Sequence, residues 1–355
     1  MALKVKGGFR FGYTVAKNLP ITEVALLQDS QSNISTTPFA DLKELEAEQI
    51  IDYIKSSAMQ AEQGGLMGEK LDCQSGMCQL LILNALESEP GVSCVHAMLR
   101  NHPEKIVLGL KIIMRALGVS KTVVAMTETM HIEADLLRNS LKQKNLLEIV
   151  ALEEKYPVEN DKVVYAALTG FISAPSRRNA VIVSVQDCYC IYELFVTGTL
   201  PKNRVVTVNG NNYRIPLGTP IAELPTLCQM EMPENCVPYI GGMVSATMAE
   251  GGAVVTHNTR AVQYRVPHTE TLQRNCIHCG MCSDHCAIGL LPTYIIVAKE
   301  KGNVKKLSRL HHDACIGCGV CSAVCPVQIS VREKIRGDIK QTVAEEQVND
   351  NEVEH

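Results

Sequence analysis

The chain has 355 residues, 46% of them apolar, with a formal net charge of −4 and a pI near 6.2. This length and apolar content allow two or three hydrophobic cores, so more than one domain is expected. The charge balance excludes a strong nucleic-acid or anionic-membrane footprint. The longest apolar runs have the length of strands and fall short of the ~20 residues of a membrane helix. We therefore expect no nucleic-acid partner and no direct membrane span, with membrane association only through a partner protein.

Residues 1–59 are expected to form an N-terminal segment and a docking helix. Glycine and proline break up the short apolar pieces before residue 40. Asp41, with Glu44 three positions later, has the pattern of a helix N-cap. The following helix has one apolar face between Leu42 and Ile54, which we expect to pack on the next domain.

Residues 60–178 alternate between strand and helix patterns. The predicted elements are strands at 80–84, 121–126 and 147–152 and helices at 103–117 and 131–144. This order predicts an α/β fold with a Rossmann-like parallel sheet. Ligands bind beyond the carboxyl ends of such strands, which directs attention to residues 84–91, after the first strand.

Residues 179–265 are expected to form a small β-grasp domain. A buried strand at 180–185 and a helix at 187–196 are followed by a hairpin pattern around Asn209-Gly210-Asn211. A short helix is predicted from Leu217 onwards. A hairpin followed by a helix within about 50–60 residues fits a β-grasp arrangement.

Residues 270–335 carry two copies of one cysteine pattern, in which three cysteines separated by two residues are followed by a fourth after three more. The eight cysteines are Cys276, Cys279, Cys282, Cys286, Cys315, Cys318, Cys321 and Cys325. This is the spacing of a helical ferredoxin-like domain with two [4Fe–4S] clusters. Structural zinc usually shows well-separated cysteine pairs without a fourth cysteine at a fixed offset, so zinc and disulfides are the less favoured alternatives.

The same spacing predicts crossed ligand sets. Three thiolates on a tight loop hold three irons of one cluster, and the fourth cysteine, on the helix that follows, points to the other cluster. The expected sets are Cys276, Cys279, Cys282 and Cys325 for the first cluster, and Cys315, Cys318, Cys321 and Cys286 for the second. Local ligation, in which each copy holds its own cluster, is the alternative.

The cysteine usage also bears on the compartment. Cluster thiolates must stay reduced during assembly, and the first residues lack the apolar core of a signal peptide, so we expect a cytoplasmic protein in a niche low in oxygen. The other cysteines are interpreted as buried free thiols, and His278 and His285 as groups that donate hydrogen bonds to cluster sulfur. The acidic stretch 340–355 is interpreted as a solvated, disordered tail.

Several motifs carry a resemblance to a known family. In the cluster region these are the first cysteine loop, the Gly289-Leu290-Leu291-Pro292 that follows it, and the second loop ending in Cys325-Pro326. With the segment Asn84-x-x-Glu87-x-Glu89-Pro90, they resemble the peripheral C subunit of Rnf-type ferredoxin:NAD oxidoreductases. The related cobalamin reductase of propanediol-utilisation microcompartments is similar too. The RnfC-like resemblance covers roughly residues 60–335.

The resemblance extends to the second domain. The segments Arg204–Gly210 and Leu217–Pro220 are similar to the family's soluble-ligand-binding β-grasp (SLBB) domain, and Gly241-Gly242-Met243 to its Gly-Gly-Pro-Met turn. Family members carry a barrel-sandwich domain of about 100 residues before the flavin domain, for which the residues preceding position 60 leave no room. This shortening favours a specialised, partner-bound subunit.

The resemblance implies an FMN site, expected at Gly64, Gly65, Gly68, Glu87 and Glu89. The family's glycine-rich FMN loop reads here as Ala61–Lys70, where three glycines remain. Glu62 and Glu69 bring negative charge to the place of a phosphate. The sequence therefore leaves FMN binding open, with Glu87 and Glu89 as ordinary strand-end capping carboxylates in the alternative.

Three functional hypotheses follow. The first is an electron-transfer subunit that relays electrons through two [4Fe–4S] clusters between a flavin or ferredoxin donor and a partner oxidoreductase. The second is an FMN-containing, NADH-dependent reductase. The third is a non-redox scaffold in which the clusters only stabilise the fold.

Overall fold

The protein is described from a computed structural model. The residues that the structure describes are 3–10, 19–23, 45–72, 78–141, 145–170, 180–267 and 275–337. Asp41, the tail 340–355 and Cys73 lie outside these ranges.

The described strands, in chain order, are β1 (Ile21–Glu23), β2 (Leu80–Asn84), β3 (Thr122–Thr127), β4 (Leu147–Leu152), β5 (Ala180–Ser184), β6 (Asn203–Val208), β7 (Asn211–Pro216), β8 (Val237–Ile240), β9 (Thr247–Met248) and β10 (Ala261–Arg265). The described α-helices are α1 (Ala47–Ser57), α2 (Met67–Asp72), α3 (Cys94–Asn101), α4 (Pro103–Leu117), α5 (His131–Asn139), α6 (Asp161–Thr169), α7 (Val185–Tyr192), α8 (Leu224–Leu227), α9 (Met281–Asp284), α10 (Pro292–Glu300), α11 (Val304–Arg309), α12 (Val320–Ala323) and α13 (Val331–Arg336).

The first sheet is parallel throughout, in the order β4-β3-β2-β5. Successive side chains of a strand point to opposite faces. In β2, Leu81 and Leu83 pack in the larger core with helices α1 to α5 and α7, whereas Ile82 packs in a second core with α6. Both faces are therefore covered, as expected for a parallel sheet. The predicted Rossmann-like domain is confirmed.

The second sheet is mixed, in the order β1-β7-β6-β10-β8-β9. The predicted hairpin is formed by β6 and β7, and the last strand, β10, runs parallel to β6. A short helical segment, Ile221–Glu223 followed by α8, covers the sheet. This order of hairpin, helix and parallel closing strand gives the predicted β-grasp arrangement.

The cysteine-rich region is helical and packs on the first domain. Its own core contains Ile295, Leu307 and Ile335. Ala287, Ile288 and Ile316, from the two cysteine loops, pack on the α6 face of the parallel sheet. Residues 3–10 lie between the two, because Leu3 pairs with β4 and Gly8 N–H donates to the carbonyl of His285.

Two sequence-based expectations need correction. The strand Ala180–Ser184 was expected in the β-grasp domain, but it pairs with β2 in the parallel sheet, so the boundary expected at residue 178 lies too early. The helix capped by Asp41 was expected near residue 41, but α1 begins at Ala47, where Glu46 and Gln49 form a reciprocal capping box. The apolar face was predicted correctly for Ile50, Ile51 and Ile54, which are buried against the first domain.

A close approach between α1 and α2 explains one of the expected flavin glycines. A Cβ at Gly68 would lie 2.7 Å from Lys55 Cα and 2.8 Å from Lys55 N. These are rigid backbone atoms, so the two helices would have to separate to admit a side chain. Gly68 is thus required for helix packing.

We predict that Gly68→Ala lowers the free energy of unfolding by about 1–3 kcal/mol, because overpacking a tight contact forces backbone shifts. Gly251→Ala is the matched control, since a Cβ there meets nothing within 4 Å. The measurement is denaturant unfolding of the two variants beside the unmodified protein. Equal stability of the two variants would contradict the packing role.

Candidate iron–sulfur centre and flavin-type crevice

The two cysteine loops share one backbone conformation. His278 and Gly317, which occupy corresponding positions, both have positive φ, and so do Gly280 and Gly319. Gly280 and Gly319 are also the N-cap residues of α9 and α12. The sequence repeat is therefore a structural repeat, and the left-handed turns curl each loop around a central space.

The first of these spaces is a cavity of about 280 Å³. Its lining includes Cys276, Cys279, Cys282 and Cys325. The thiols come from both copies of the motif, in the combination that crossed ligation predicts. Cys276 and Cys279 are exposed, so one side of this centre faces solvent.

The second cavity is narrower and lined by Cys286, Cys315, Cys318 and Cys321. This is the other crossed set, and all four residues are partly buried. Four thiols around one cavity are the donor set of a [4Fe–4S] cluster. The residues present therefore fit the two clusters that the spacing predicts.

Backbone amides face the cysteine sulfurs. Leu290 N lies 3.2 Å from Cys286 Sγ, and Ile329 N lies 3.4 Å from Cys325 Sγ, at equivalent places in the two copies. His278 N lies 3.4 Å from Cys276 Sγ. Such N–H donors tune cluster potentials. His285 was expected to donate to sulfur, but its Nδ1 lies 2.9 Å from the carbonyl oxygen of Met281.

The second cysteine loop is anchored to the other two domains. The hydroxyl of Tyr156 donates to the carbonyl of Cys318 at 2.7 Å. Arg332 donates to the carbonyls of Ser245 and Ala246 at 2.6 and 3.2 Å. Val320 and Val324 pack with Tyr156 in a small apolar cluster. The second cysteine loop therefore lies against the carboxyl edge of the parallel sheet and a turn of the β-grasp domain.

The residues expected to bind FMN do not form one open site. Gly64 and Gly65 lie in an exposed turn, in which Ala61 N–H donates to the carbonyl of Gly65. Gly68 is buried against α1. These three glycines thus shape a turn and a helix contact.

Glu87 and Glu89 are buried and have partners within the protein. Glu87 accepts hydrogen bonds from the amides of Val95 and His96, in the first turn of α3, at 3.0 and 3.2 Å. Glu89 accepts from the amides of Val244 and Ser245 at 3.1 and 2.6 Å. Glu87 therefore caps α3, as in the alternative interpretation from the sequence, whereas Glu89 binds a turn of the β-grasp domain.

A third buried carboxyl, that of Glu159, lies near Glu89. Glu159 is 8% exposed and accepts a hydrogen bond from the Ser88 hydroxyl. Burial raises the pKa of Glu159 from 4.5 to about 7, although the charge of Arg260 and the Ser88 hydrogen bond act in the opposite direction. Glu87, Glu89, Glu159 and Arg260 line a cavity of about 140 Å³.

The remaining described cysteines are free thiols. Cys94, Cys188 and Cys190 are buried, and burial raises the pKa of Cys94 to about 12. These three thiols are neutral packing groups at ordinary pH, as the sequence suggested, whereas Cys78 and Cys236 were also expected to be buried and are only half-buried.

Comparisons with known proteins agree with this architecture. The family model for the "4Fe-4S dicluster domain" matches residues 275–329, and that for the "Nuo51 FMN-binding domain" matches residues 61–193. The chain also resembles a crystal structure of NAD⁺-reducing [NiFe]-hydrogenase in the H2-reduced state. The TM-score is 0.56 at 14% identity, over 85% of this chain and 66% of that chain. This second likeness concerns the fold alone.

The chain is also similar in sequence to three curated proteins. The chain is 26% identical over 314 residues to the C subunit of the ion-translocating oxidoreductase complex of Buchnera aphidicola subsp. Acyrthosiphon pisum, covering 83% of this chain and 66% of that relative. It is 28% identical to the C subunit of the same complex in Haemophilus influenzae strain Rd, covering 73% of this chain and 34% of that relative. It is 26% identical to the C subunit of the Na⁺-translocating ferredoxin:NAD⁺ oxidoreductase complex of Acetobacterium woodii, covering 74% of this chain and 62% of that relative. The chain thus spans between about a third and two thirds of these relatives.

The fold and the cysteine loops define an iron–sulfur protein that combines a Nuo51-type α/β domain with a [4Fe–4S] dicluster domain. Within that class it is similar to the C subunits of ion-translocating oxidoreductase complexes, as the sequence resemblance indicated.

Sequence reasoning missed the residues that join the domains. Arg260 and Arg332 belong to no motif, and Arg204 only opens the segment that resembles the SLBB domain; the role of each is identified by its partners in another domain. Tyr156 precedes a proline in a loop and gave no signal either. Glu62 was noticed as a charge in the glycine loop, but its partners are more than a hundred residues away in the chain.

We predict a pH-dependent contribution of Glu159 to stability. Because its folded pKa of about 7 lies above the ordinary 4.5, the folded protein holds an extra proton between these values. The contribution is fully present below about pH 4.5 and is lost as the pH rises through about 7, with a size of up to ~3 kcal/mol. Glu159→Gln cannot titrate, so its unfolding temperature should fall less than that of the unmodified protein between pH 5 and pH 8.

The control for this experiment is Glu148→Gln, which removes one carboxylate from an exposed ion pair with Lys121. Its pH dependence should follow that of the unmodified protein. If Glu159→Gln also follows the unmodified protein, the raised pKa is wrong.

Proposed function

We propose that the chain relays electrons through two [4Fe–4S] clusters between a flavin or ferredoxin donor and a partner oxidoreductase. The observation that carries this proposal is the pair of four-thiol cavities, each lined from both copies of the cysteine motif. Each bound cluster takes up and releases single electrons. The matched dicluster model and the relatives, which are named as subunits of ion-translocating oxidoreductase complexes, support the same function.

The two centres differ in solvent exposure, which indicates where a partner protein can approach. Cys276 and Cys279 bring the first centre to the surface, where a partner's redox group can approach. The second centre is partly buried and anchored by Tyr156 and Arg332. We therefore propose that partners exchange electrons at the first centre.

The location and the partners proposed for this relay follow from its chemistry and from the relatives. Reduced thiolates favour a cytoplasmic location, and the relatives favour membership of a multi-subunit redox complex. None of the helices in the described part of the chain has the length and hydropathy to span a bilayer. Any membrane association is therefore proposed to go through partner subunits.

We predict that protein purified without oxygen carries about eight iron and eight sulfide ions per chain and absorbs broadly near ~400 nm, with bleaching on reduction. Iron and acid-labile sulfide assays check the content. Stoichiometric zinc without sulfide would overturn the proposal.

A redox titration tests the scaffold alternative, which requires clusters that are neither reduced nor oxidised between about −600 and −100 mV.

A second prediction concerns the crossed ligation. Cys325→Ala should remove the same spin-resonance signal as Cys276→Ala, because a cluster that lacks one thiolate is lost or oxidised more easily. Cys315→Ala should remove the other signal. Cys236→Ala, at a free thiol outside the two loops, is the control and should keep both signals. If Cys325→Ala instead matches Cys315→Ala, ligation is local.

A further inference from the structure

The parallel sheet has a crevice where a ligand is expected. From β2 the chain moves to β3 and β4 on one side, and it returns to β5 on the other side. The gap beyond the carboxyl ends of β2 and β5 is therefore the switch point of the sheet, where α/β folds usually bind ligands. The residues around it, from Ala61 to Asp187, lie within the matched FMN-binding domain.

Glu62 occupies this crevice. Its backbone N–H donates to Asp187 Oδ1 at 2.8 Å, which fixes the loop against the first turn of α7, directly after β5. Its carboxylate accepts a hydrogen bond from Arg204 Nη2 at 2.7 Å. The two side chains are 5% and 2% exposed, so this is a buried ion pair.

A second arginine extends the pair across the crevice. Arg260 Nε lies 3.8 Å from Glu62 Oε1, and Arg260 Nη2 lies 3.5 Å from Glu87 Oε1. Arg204 is the second residue of β6, and Arg260 directly precedes β10, so both cations come from the β-grasp domain. The four side chains link the carboxyl edge of the parallel sheet to the second sheet.

The charges favour this arrangement over a bound flavin phosphate. Burial alone would raise the pKa of Glu62, but the positive charges of Arg204 and Arg260 outweigh burial and lower it, so Glu62 stays ionised. A phosphate in the crevice would meet this carboxylate and compete for the same two guanidinium groups. Breaking a buried ion pair by removing one partner is strongly destabilising.

The neighbouring groups are also engaged. Glu87 caps α3, and Glu89 binds the turn that contains Gly242, where a Cβ would lie 2.3 Å from Glu89 Cδ. Asn84, at the end of β2, donates to the carbonyl of Glu159 at 2.8 Å and to Asp161 Oδ1 at 2.9 Å. The residues present therefore do not fit FMN.

We propose that the ion pairs Arg204–Glu62, Arg260–Glu62 and Arg260–Glu87 close the flavin-type crevice and hold the two domains together where a flavin would sit, leaving beside Glu87 and Arg260 the cavity of about 140 Å³. The protein then exchanges electrons through its clusters alone. This inference does not rest on the relay function, because a crevice can be closed whether or not the clusters are redox-active.

The first test uses the full chain with its clusters loaded. Acid extraction should release no FMN, and added FMN should keep its full fluorescence when titrated with the protein. Stoichiometric FMN in the extract, or saturable quenching of added FMN, would overturn the proposal. Iron and sulfide are measured on the same sample, so failure of the cluster proposal is seen separately.

The second test concerns the ion pair itself. Glu62→Ala should lower the unfolding temperature by ~10 °C, because it leaves buried guanidinium charge unpaired. Glu62→Met combined with Arg204→Met should recover most of this loss, since the double variant replaces the pair with apolar side chains of similar length. Glu69→Ala, at an exposed position of the same loop region, is the matched control and should shift the unfolding temperature little.

Two outcomes of the second test count against the proposal. If Glu62→Ala is as stable as Glu69→Ala, the ion pair does not hold the domains together. If Glu62→Ala gains stability on addition of FMN and the unmodified protein does so too, the crevice is open. If Glu62→Ala fails to fold, the stability of the double variant and the flavin measurement on unmodified protein still test the proposal.

Discussion

The turn at residues 241–246 is held from two sides, and the arrangement of the three domains depends on it. From the parallel sheet, Glu89 accepts hydrogen bonds from the amides of Val244 and Ser245. From the cysteine-rich region, Arg332 donates to the carbonyls of Ser245 and Ala246. Hydrogen bonds to charged groups are worth roughly twice those between neutral groups. The β-grasp domain therefore contributes a turn that links the other two domains, in addition to their direct contacts.

This junction explains the different surroundings of the two proposed centres. Gly319, in the second cysteine loop, lies so close to Val244 that a Cβ would be 2.7 Å from its carbonyl oxygen. The second loop is thus pressed against the junction, whereas Cys276 and Cys279 of the first loop stay exposed. One centre is structurally anchored and the other is accessible, which is the arrangement that an electron relay to an external partner needs.

Much of the fold could be predicted because its signals are local. Apolar runs, caps and turn residues predict the strands Leu80–Asn84 and Leu147–Leu152 and the helix that ends before Gly118. The cysteine spacing likewise predicts two crossed ligand sets, and the same two sets of thiols line the two cavities. By contrast, the sheet to which Ala180–Ser184 belongs depends on pairing with a strand about a hundred residues earlier, which no local pattern encodes. The role of Glu62 was missed for the same reason, since its partners Arg204 and Arg260 belong to another domain.

We propose that the chain carries electrons on two clusters and on nothing else. The most direct measurement is an anaerobic titration with a one-electron reductant, in which electrons accepted per chain are counted from absorbance and spin resonance. The expected value is about two electrons per chain, one for each cluster. A value of about four, with a flavin signal among the reduced species, would contradict it, because FMN accepts two further electrons.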